Sequence, residues 1–517
     1  MGTWVSVDGY GNSKNKKEIW GLVVSETQPF KACKKILNIG PRMRKSRYDF
    51  FQDCLECFIP PGPILKILMP GRAPIEPNTL KASQILNVFP NLKTLKRYGF
   101  QATTKSNKSL KAIANGEKVN VFGLVDSIGF PFSNLTKINI FEEGHPDYRS
   151  FYKKNRYSWF RDSATLIKRY QFFSNCETEW HANLIAPSVG CYLEKLKNSD
   201  YSQFLSPVVG FGDEGITGFG KELKAFFEKG QKICILLPSK GTGSLFCKSC
   251  KKNIRCQICD KVLVLSKNEL KCIQCNQEWP KVKKCNECNS WLIALRQGVD
   301  HFKEWLLKKG FSDFEIEIVT SSLNEKQLKD SLARFKKGLA KVLLTTNFEI
   351  ARENHGQKVL WVPYLKYFFI DDDFRSYENG WWRMNALNSF SSKNDIRLLF
   401  GFSGEIIPPV DCFLQCSFSD FYRQEIEIRK QFDYPPFGEI LMIISNRKIS
   451  NFIYKGENID DIASDLRYLR AFDGKGKEST HYAYVFQAAK INQDFKKFIK
   501  NFVLENENIR IYYEQKL

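Results

Sequence analysis

Four Cys-x-x-Cys pairs follow one another within residues 247–288, separated by five, twelve and nine residues. Two thiolates spaced in this way can hold one metal ion in a tight turn, and two such turns complete the tetrahedral sulfur shell that Zn²⁺ prefers. Eight sulfurs leave no open coordination position on two ions, so the sequence predicts two structural zinc sites. The eight predicted ligands are Cys247, Cys250, Cys256, Cys259, Cys272, Cys275, Cys285 and Cys288.

The segment between the second and third pairs indicates which pairs share an ion. An apolar stretch at 261–266, a polar turn and a short strand before Cys272 are typical of a β-hairpin. The hairpin brings the second and third pairs together, whereas pairing in sequence order leaves only five residues between the first two turns. Zinc site 1 is therefore predicted to use Cys247, Cys250, Cys285 and Cys288, and zinc site 2 to use Cys256, Cys259, Cys272 and Cys275. A redox role would need one pair beside a βαβ unit.

The chain is strongly basic, with 78 Lys and Arg against 56 Asp and Glu and a net charge of +22 over 517 residues. This balance favours a polyanionic partner, with nucleic acid ahead of a membrane surface. The alternative is a solvated basic surface without such a partner. No apolar run reaches the roughly 18 residues of a membrane span. Clustered Cys-x-x-Cys pairs are typical of a reducing compartment, so we expect a cytoplasmic protein without a membrane partner.

Apolar strands alternate with amphipathic helices on both sides of the cysteine-rich segment, which predicts a doubly wound parallel sheet that contains the segment as an insertion. The predicted strands of this sheet are 232–238, 314–320, 341–346, 359–363 and 396–402, and the helices are 220–229, 299–309 and 324–337. A second α/β lobe is predicted upstream, with strands at 118–125, 137–141 and 182–186. The first 70 residues are predicted to be β-rich, and an α+β region follows residue 405.

The order of these parts resembles the PriA family of bacterial replication restart proteins, in a truncated form. All eight cysteines match the family in number and in their place within helicase lobe 2, and the nested pairing is also the family's. Residues 373–378 resemble its Asp-Phe-Arg-x-x-Glu sequence, and residues 2–25 and 61–70 resemble the first strands and the end of its DNA-binding domain. The entry to its C-terminal domain is matched by Glu425, Arg429, Pro435 and Pro436.

The resemblance implies a multidomain α/β protein with five parts. These are a β-rich N-terminal DNA-binding domain at 1–75, a truncated superfamily 2 helicase lobe 1 at 76–210, lobe 2 at 211–246 and 289–405, the double-zinc module at 247–288, and an α+β C-terminal domain at 406–517.

The sequence departs from the family at the motifs that bind and hydrolyse ATP. The family's Walker B sequence is Asp-Glu-Glu-His, whereas this chain has Phe141, Glu142, Glu143, an inserted Gly144 and His145. No phosphate loop is found; the nearest string, 215–222, ends in Glu where a hydroxyl is needed. Residues 186–189 replace Gly-Ser-Ala-Thr, and residues 385–392 hold none of the arginines of the last helicase motif. We therefore expect an inactive homologue of an ATP-dependent 3′–5′ DNA helicase that uses no ATP.

A segment at 151–161 interleaves basic and aromatic residues, which is how single strands are bound: cations follow the phosphates and rings stack on bases. The resemblance places it on the family's aromatic-rich loop, which contacts single-stranded DNA. Its alternative is a basic amphipathic helix on the lobe surface. The candidate DNA-binding residues are Tyr152, Lys153, Lys154, Arg156, Tyr157, Trp159 and Arg161.

The resemblance implies binding to stalled or abandoned replication forks and promotion of primosome assembly and replicative helicase loading. The implied partners are branched or single-stranded DNA, other restart primosome proteins and single-strand-binding protein, and the expected state is a nucleoid-associated monomer. The alternative function is that of a repurposed zinc-ribbon protein that binds structured RNA or DNA without a role in restart. Residual nucleotide binding is a third possibility.

Overall fold

The structure is a computed structural model that describes residues 3–7, 19–23, 65–68, 83–103, 107–124, 127, 135–148, 177–181, 186–193, 209–215, 225–238, 243–250, 252–257, 262–266, 269–272, 277–295, 298–320, 323–370, 374–445, 449, 452–472, 478–492, 494–495, 498–499, 502 and 509–514. The chain divides into two compact units. Unit 1 comprises residues 1–197, 426–467 and 482–517, and unit 2 comprises 198–425 and 468–481. None of the helices in these ranges is long and apolar enough to cross a membrane.

Unit 1 begins with an antiparallel sheet of three short strands. Strand β1 (Thr3–Val7) pairs with β2 (Ile19–Val23), which pairs in turn with β3 (Leu65–Leu68). These strands lie in the segment predicted to be β-rich.

The next part of unit 1 is a four-stranded parallel sheet. The strands are β4 (Gln84–Val88), β5 (Asn120–Gly123), β6 (Leu135–Phe141) and β7 (Glu177–His181), and the helices are Leu92–Arg97, Asn107–Ala114 and a short turn at Val189–Cys191. The strand order is β5-β4-β6-β7. Residues 182–185 of the strand predicted at 182–186 lie outside the described residues, and β7 ends just before them, at His181.

Unit 2 is built on a six-stranded parallel sheet. Its strands are β8 (Val209–Gly212), β9 (Ile233–Leu236), β16 (Ile316–Val319), β17 (Val342–Thr345), β18 (Val359–Val362) and β19 (Arg397–Gly401). They lie in the order β16-β17-β9-β18-β19-β8. Every residue of β9, β17 and β18 is buried, as expected for central strands covered on both faces. The predicted mixed α/β class with parallel sheets is confirmed.

The helices of unit 2 follow the predicted alternation with strands. They are Val299–Lys308, Glu325–Lys336, Phe348–Ala351, Ser376–Lys393, Pro408–Leu414 and Phe418–Gln431, the last of which continues into unit 1. Asn324 caps the second of these, because its side chain accepts the Gln327 N–H while the Gln327 side chain accepts the Asn324 N–H. Phe302 and Leu306 of the first helix pack into the core of the sheet.

A second, antiparallel sheet lies between β9 and the helix Val299–Lys308 in the sequence. Its strands are β10 (Gly243–Cys247), β11 (Lys252–Asn253), β12 (Val264–Ser266), β13 (Glu269–Lys271), β14 (Glu278–Pro280) and β15 (Leu292–Leu295). The order is β11-β10-β12-β13-β14, and β15 also pairs with β10. This sheet is called the cysteine module below.

The C-terminal part contains a four-stranded sheet. The strands are β20 (Glu439–Ser445), β23 (Asp465–Phe472), β24 (Glu478–Ala488) and β25 (Ile509–Glu514); a two-residue pair, β21 (Ile453–Tyr454) and β22 (Glu457–Asn458), precedes the helical turn Ile459–Ile462. The strand order is β23-β24-β20-β25. The antiparallel pairing of β20 with β24 and β25 is the α+β pattern expected after residue 405.

Candidate metal centre and candidate nucleotide site

The four cysteines predicted to form zinc site 1 lie together in the cysteine module. The Sγ atoms of Cys247, Cys250, Cys285 and Cys288 all lie within 4.8 Å of one another. The Cys247–Cys288 sulfur distance is 3.4 Å and the Cys250–Cys285 distance is 3.8 Å. A Zn–S bond of about 2.3 Å in a tetrahedral shell places two sulfurs about 3.8 Å apart. The donor set and its spacing therefore fit a divalent zinc ion.

Local backbone geometry explains why these sulfurs converge. Strand β10 ends at Cys247, which pairs with Lys252 of β11 on one side and Leu292 of β15 on the other. The turn after it is closed by the Cys250 N–H, which donates to the Cys247 sulfur at 3.4 Å. In the second turn Asn289 adopts a left-handed conformation (φ 58°), which asparagine tolerates better than most residues.

Hydrogen bonds shift the pKa values of two thiols of the cluster. Those from the Ser290 hydroxyl and backbone lower the pKa of the Cys288 thiol to about 6. A hydrogen bond with Cys288 raises the pKa of Cys250. Thiolate is the form that binds metal, and four thiolates around one divalent ion carry a net charge of about −2.

The second predicted site is described only in part. Strands β12 and β13 form the predicted hairpin, in which Val264 pairs with Lys271. Cys256 and Cys272 are buried together in an apolar cluster that includes Leu263, Leu265 and Leu270. Their predicted partners, Cys259 and Cys275, lie outside the described residues, so zinc site 2 stays a prediction.

The segment predicted from the sequence to be a degenerate Walker B motif begins at the carboxyl end of β6 with Phe141. Its ring stacks on Phe89 with centroids 4.3 Å apart and planes 12° from parallel. Tyr98 contacts the same ring edge-on at 5.2 Å, and Phe100 stacks on Phe122 beside it. Aromatic side chains therefore fill the space at the ends of β4, β5 and β6.

Both carboxylates that follow Phe141 are buried and hydrogen-bonded to protein groups. The Arg97 guanidinium donates to Glu142 at 3.1 Å, and the Glu142 side chain is only 2% exposed. Glu143 accepts the backbone N–H of Ser188 at 2.7 Å and its hydroxyl at 2.6 Å. Burial, together with these two carboxylates, raises the pKa of the neighbouring Tyr148 phenol well above its ordinary value.

The next residue of this predicted motif, His145, is hydrogen-bonded to a backbone group close to it in the sequence. Its Nδ1 accepts the Asp147 N–H at 2.9 Å, and the side chain is buried. The Tyr148 phenol oxygen lies 2.9 Å from the carbonyl oxygens of Val88 and Phe141, which ties the ends of β4 and β6 together.

Other predicted residues are buried or lie outside the described part of the chain. Arg375 and Glu378 form a buried ion pair at 3.6 Å. Arg429 is buried and donates to the Pro435 carbonyl at 3.2 Å. The whole candidate DNA-binding segment, Tyr152, Lys153, Lys154, Arg156, Tyr157, Trp159 and Arg161, lies outside the described residues.

Sequence reasoning missed the partners of the degenerate site. Arg97 and Ser188 each lie 45 positions from the carboxylate they contact, so no local spacing relates them. It also missed Trp291, which is 66% exposed beside the cysteine cluster. Its position next to the fourth Cys-x-x-Cys pair could have drawn attention to it.

The described residues thus form a mixed α/β protein whose antiparallel module contains a cluster of four cysteines that could hold a metal ion. The chain is distantly similar to replication restart protein PriA from diverse bacteria. It is 23% identical over 370 residues to PriA of Borreliella burgdorferi, covering 66% of this chain and 54% of that protein. It is 24% identical over 395 residues to PriA of Thermotoga maritima, covering 71% and 51%. PriA of Chlamydia trachomatis is 24% identical over 306 residues, covering 52% and 38%.

The chain therefore spans about half the length of the PriA proteins it matches, or less. No protein-family model matches it. Similar solved structures include Saccharomyces cerevisiae Dbp5 bound to RNA and ADP BeF3, at 10% identity and a TM-score of 0.32, covering 68% of this chain and 81% of that chain. The DUF1998 helicase MrfA bound to DNA and AMPPNP is 12% identical with a TM-score of 0.33, covering 66% and 44%. TM-scores below 0.5 do not establish a shared fold.

Proposed function

We propose that this chain is a replication restart protein that binds stalled or abandoned replication forks and promotes primosome assembly and replicative helicase loading without hydrolysing ATP. The observation that carries the proposal is the convergence of Cys247, Cys250, Cys285 and Cys288 in a chain similar to PriA. The chain thus has a four-cysteine cluster in unit 2 and, in unit 1, carboxylates at Glu142 and Glu143 that are already hydrogen-bonded to protein groups.

The proposed metal is Zn²⁺, with two ions per chain and no catalytic role. Four thiolates at site 1 would leave no coordination position for water or substrate. When bound, the ion would supply cross-linking of the turns that follow β10 and precede β15. The protein's own contribution is to present the four sulfurs from hydrogen-bonded turns.

The contacts of the residues in the degenerate Walker B segment support the proposal that the protein does not hydrolyse ATP. Phe141 has no oxygen with which to hold a magnesium ion, and its ring is stacked on Phe89. Glu142 is paired with Arg97, and Glu143 is hydrogen-bonded to Ser188. A buried carboxylate that is already neutralised by a guanidinium is a poor general base. Asn388 and Ser391, within the string that replaces the last helicase motif, are buried and carry no positive charge.

The proposed partners are branched or single-stranded DNA, restart primosome proteins and single-strand-binding protein. The net charge of +22 favours DNA, and the basic aromatic segment at 151–161 is the proposed single-strand contact. We further propose that the protein acts as a nucleoid-associated monomer in the cytoplasm.

Binding to matched nucleic acids tests the restart function. Fluorescence anisotropy at one stated salt concentration would compare a forked DNA, a duplex of the same length and sequence, and a structured RNA. We expect the fork to bind at least tenfold more tightly than the duplex. Equal affinity for fork and duplex, or a preference for the RNA, would reject fork recognition and leave a general nucleic-acid-binding protein.

ATP turnover tests the inactivity separately. We expect no DNA-stimulated turnover above background. The matched control is the variant carrying both Glu142→Gln and Glu143→Gln, purified in parallel. Turnover that persists in this variant identifies a contaminating enzyme, whereas turnover that the variant loses would overturn the proposal.

A further inference from the structure

Trp291 occupies an unusual position at the edge of the cysteine module. It follows the fourth Cys-x-x-Cys pair and directly precedes β15, and it pairs with Lys284 across an antiparallel bridge. Its side chain is 66% exposed, whereas Trp361, Trp381 and Trp382 of the same unit are almost fully buried. The exposed indole ring is available for contact with a partner.

The surroundings of Trp291 are cationic. The Lys284 ammonium lies 5.5 Å from the centroid of the indole ring, within the range of a cation–π contact. Lys281 and Lys283 are exposed in the segment that precedes Lys284, and the Lys283 carbonyl accepts the Leu292 N–H at 2.9 Å. The acidic residue nearest in sequence, Glu287, is already paired with Lys252 at 3.2 Å. Residues 247–288 hold ten Lys and Arg against four Asp and Glu.

An exposed indole face beside cations on a fixed strand is the chemistry that binds an unpaired base. The ring stacks on the base, while neighbouring lysines attract the phosphates on either side. Protein partners of an apolar patch bury several apolar side chains together, whereas Leu292 and Ile293, which follow Trp291, are already half-buried in the module. The single flat ring and its positive rim therefore fit one extruded base better than they fit a protein surface.

We propose that Trp291 is a stacking platform for a base of single-stranded DNA, with Lys284 and Lys283 facing the adjacent phosphates. The inference rests on the proposed function, because it assigns a second single-strand contact to a DNA-binding protein. Stacking uses a face that every base has, so the contact has little sequence preference and depends strongly on salt.

The test compares Trp291→Ala, Trp291→Phe and Lys284→Gln with the wild-type protein on an unstructured thymidine oligonucleotide and on a duplex. We expect Trp291→Ala to weaken oligonucleotide binding about tenfold or more while duplex affinity changes less than about twofold. Trp291→Phe should restore most of the affinity, because a phenyl ring still stacks. Lys284→Gln should weaken binding less and flatten its salt dependence.

Phe314 provides the matched control. It is 68% exposed in the same unit, but the lysines beside it, Lys303 and Lys341, already pair with Asp313 and Glu315 at 2.6 Å and are less available to phosphates. Phe314→Ala should leave single-strand affinity unchanged. Zinc content equal to wild type in each variant would show that the module is intact.

Photocrosslinking of a 5-iodouracil oligonucleotide, followed by peptide mass spectrometry, would locate the bound base directly. We expect the adduct at Trp291. Unchanged oligonucleotide affinity in Trp291→Ala, equal losses for oligonucleotide and duplex, or no adduct at Trp291 would each overturn the platform. Fork binding by the wild-type protein would survive those results. A wild-type protein that binds no DNA would overturn both the platform and the proposed function.

Discussion

Ser188 donates two hydrogen bonds to the carboxylate of Glu143, one from its backbone N–H at 2.7 Å and one from its hydroxyl at 2.6 Å. Glu143 follows strand β6 and Ser188 lies beyond β7, so the contact joins the carboxyl ends of two neighbouring parallel strands. Both side chains are almost completely buried. Charge-assisted hydrogen bonds of this kind are stronger than neutral ones, and the contact therefore stabilises the sheet whether or not nucleotide is bound.

Replacing the Ser188 hydroxyl should destabilise the protein. In Ser188→Ala the buried carboxylate keeps only the backbone donor, which should lower the free energy of unfolding by about 1–3 kcal/mol. Urea denaturation measures the change. In a Glu143→Gln background the same substitution should cost less, since the ionic part of the interaction is then absent. The exposed Ser392 provides the control, because Ser392→Ala should change stability by less than about 0.5 kcal/mol. Additive effects of Ser188→Ala and Glu143→Gln would contradict the coupling.

The ion pair between Arg97 and Glu142 predicts a larger effect. Arg97→Met leaves the Glu142 carboxylate buried without its cation. Because the Arg97 side chain is 20% exposed, water can replace part of the lost interaction, and we expect a loss of about 2–3 kcal/mol on thermal unfolding. Adding Glu142→Gln to Arg97→Met should recover much of that stability. A double variant as unstable as Arg97→Met would show that the arginine acts through packing instead.

The number of zinc ions bound per chain should distinguish zinc site 1 from zinc site 2. We expect two zinc ions per chain in the purified protein, one in Cys285→Ser and one in Cys272→Ser, as measured by inductively coupled plasma mass spectrometry. Cys412→Ser is the matched control, because Cys412 is buried outside the cysteine module and should leave the count at two. One zinc ion in the wild-type protein, unaffected by Cys272→Ser, would reject zinc site 2 while leaving zinc site 1 intact.

His355 predicts a pH dependence. Burial lowers its pKa from 6.5 to about 4, and the nearby cations Lys336 and Lys232 act in the same direction. Between these two pH values the unfolded chain takes up a proton at this position that the folded protein does not. The free energy of unfolding should therefore fall as the pH falls from 6.5 towards 4, on the order of 2–3 kcal/mol. His355→Gln should show a shallower decline between about pH 7.5 and 4.5. Parallel curves for the two proteins would contradict this origin.

The coarse fold was predictable because its determinants are local. The buried strand β9 reads Ile-Cys-Ile-Leu, and the helix Glu325–Lys336 begins at a capping box formed by Asn324 and Gln327. The hairpin of β12 and β13 followed from an apolar run, a polar turn and a second run. Each of these features lies within about a dozen consecutive residues, the range over which hydrophobic periodicity and turn-forming residues determine local structure.

The contacts of Phe141, Glu142 and Glu143 could not be predicted because they depend on the register of a parallel sheet. Phe141 meets Phe89 only because β4 and β6 are adjacent, with Val88 opposite Ile140. Strand β7, with the sequence Glu-Thr-Glu-Trp-His, was not predicted, because its residues form no apolar run. It pairs with β6, which is distant in the sequence, and local patterns do not indicate such a pairing.

The first and last strands of the cysteine module, β10 and β15, are hydrogen-bonded to each other. Ser244 of β10 pairs with Leu295 of β15, so about fifty residues separate two points that are hydrogen-bonded neighbours. Pairing between the module's own strands offsets the entropy cost of closing that loop. For the parallel sheet, the module is therefore equivalent to a connection as short as a tight turn. We therefore expect that the module can be replaced. A short turn that joins the end of β10 to the start of β15 would leave the strand order of the parallel sheet unchanged.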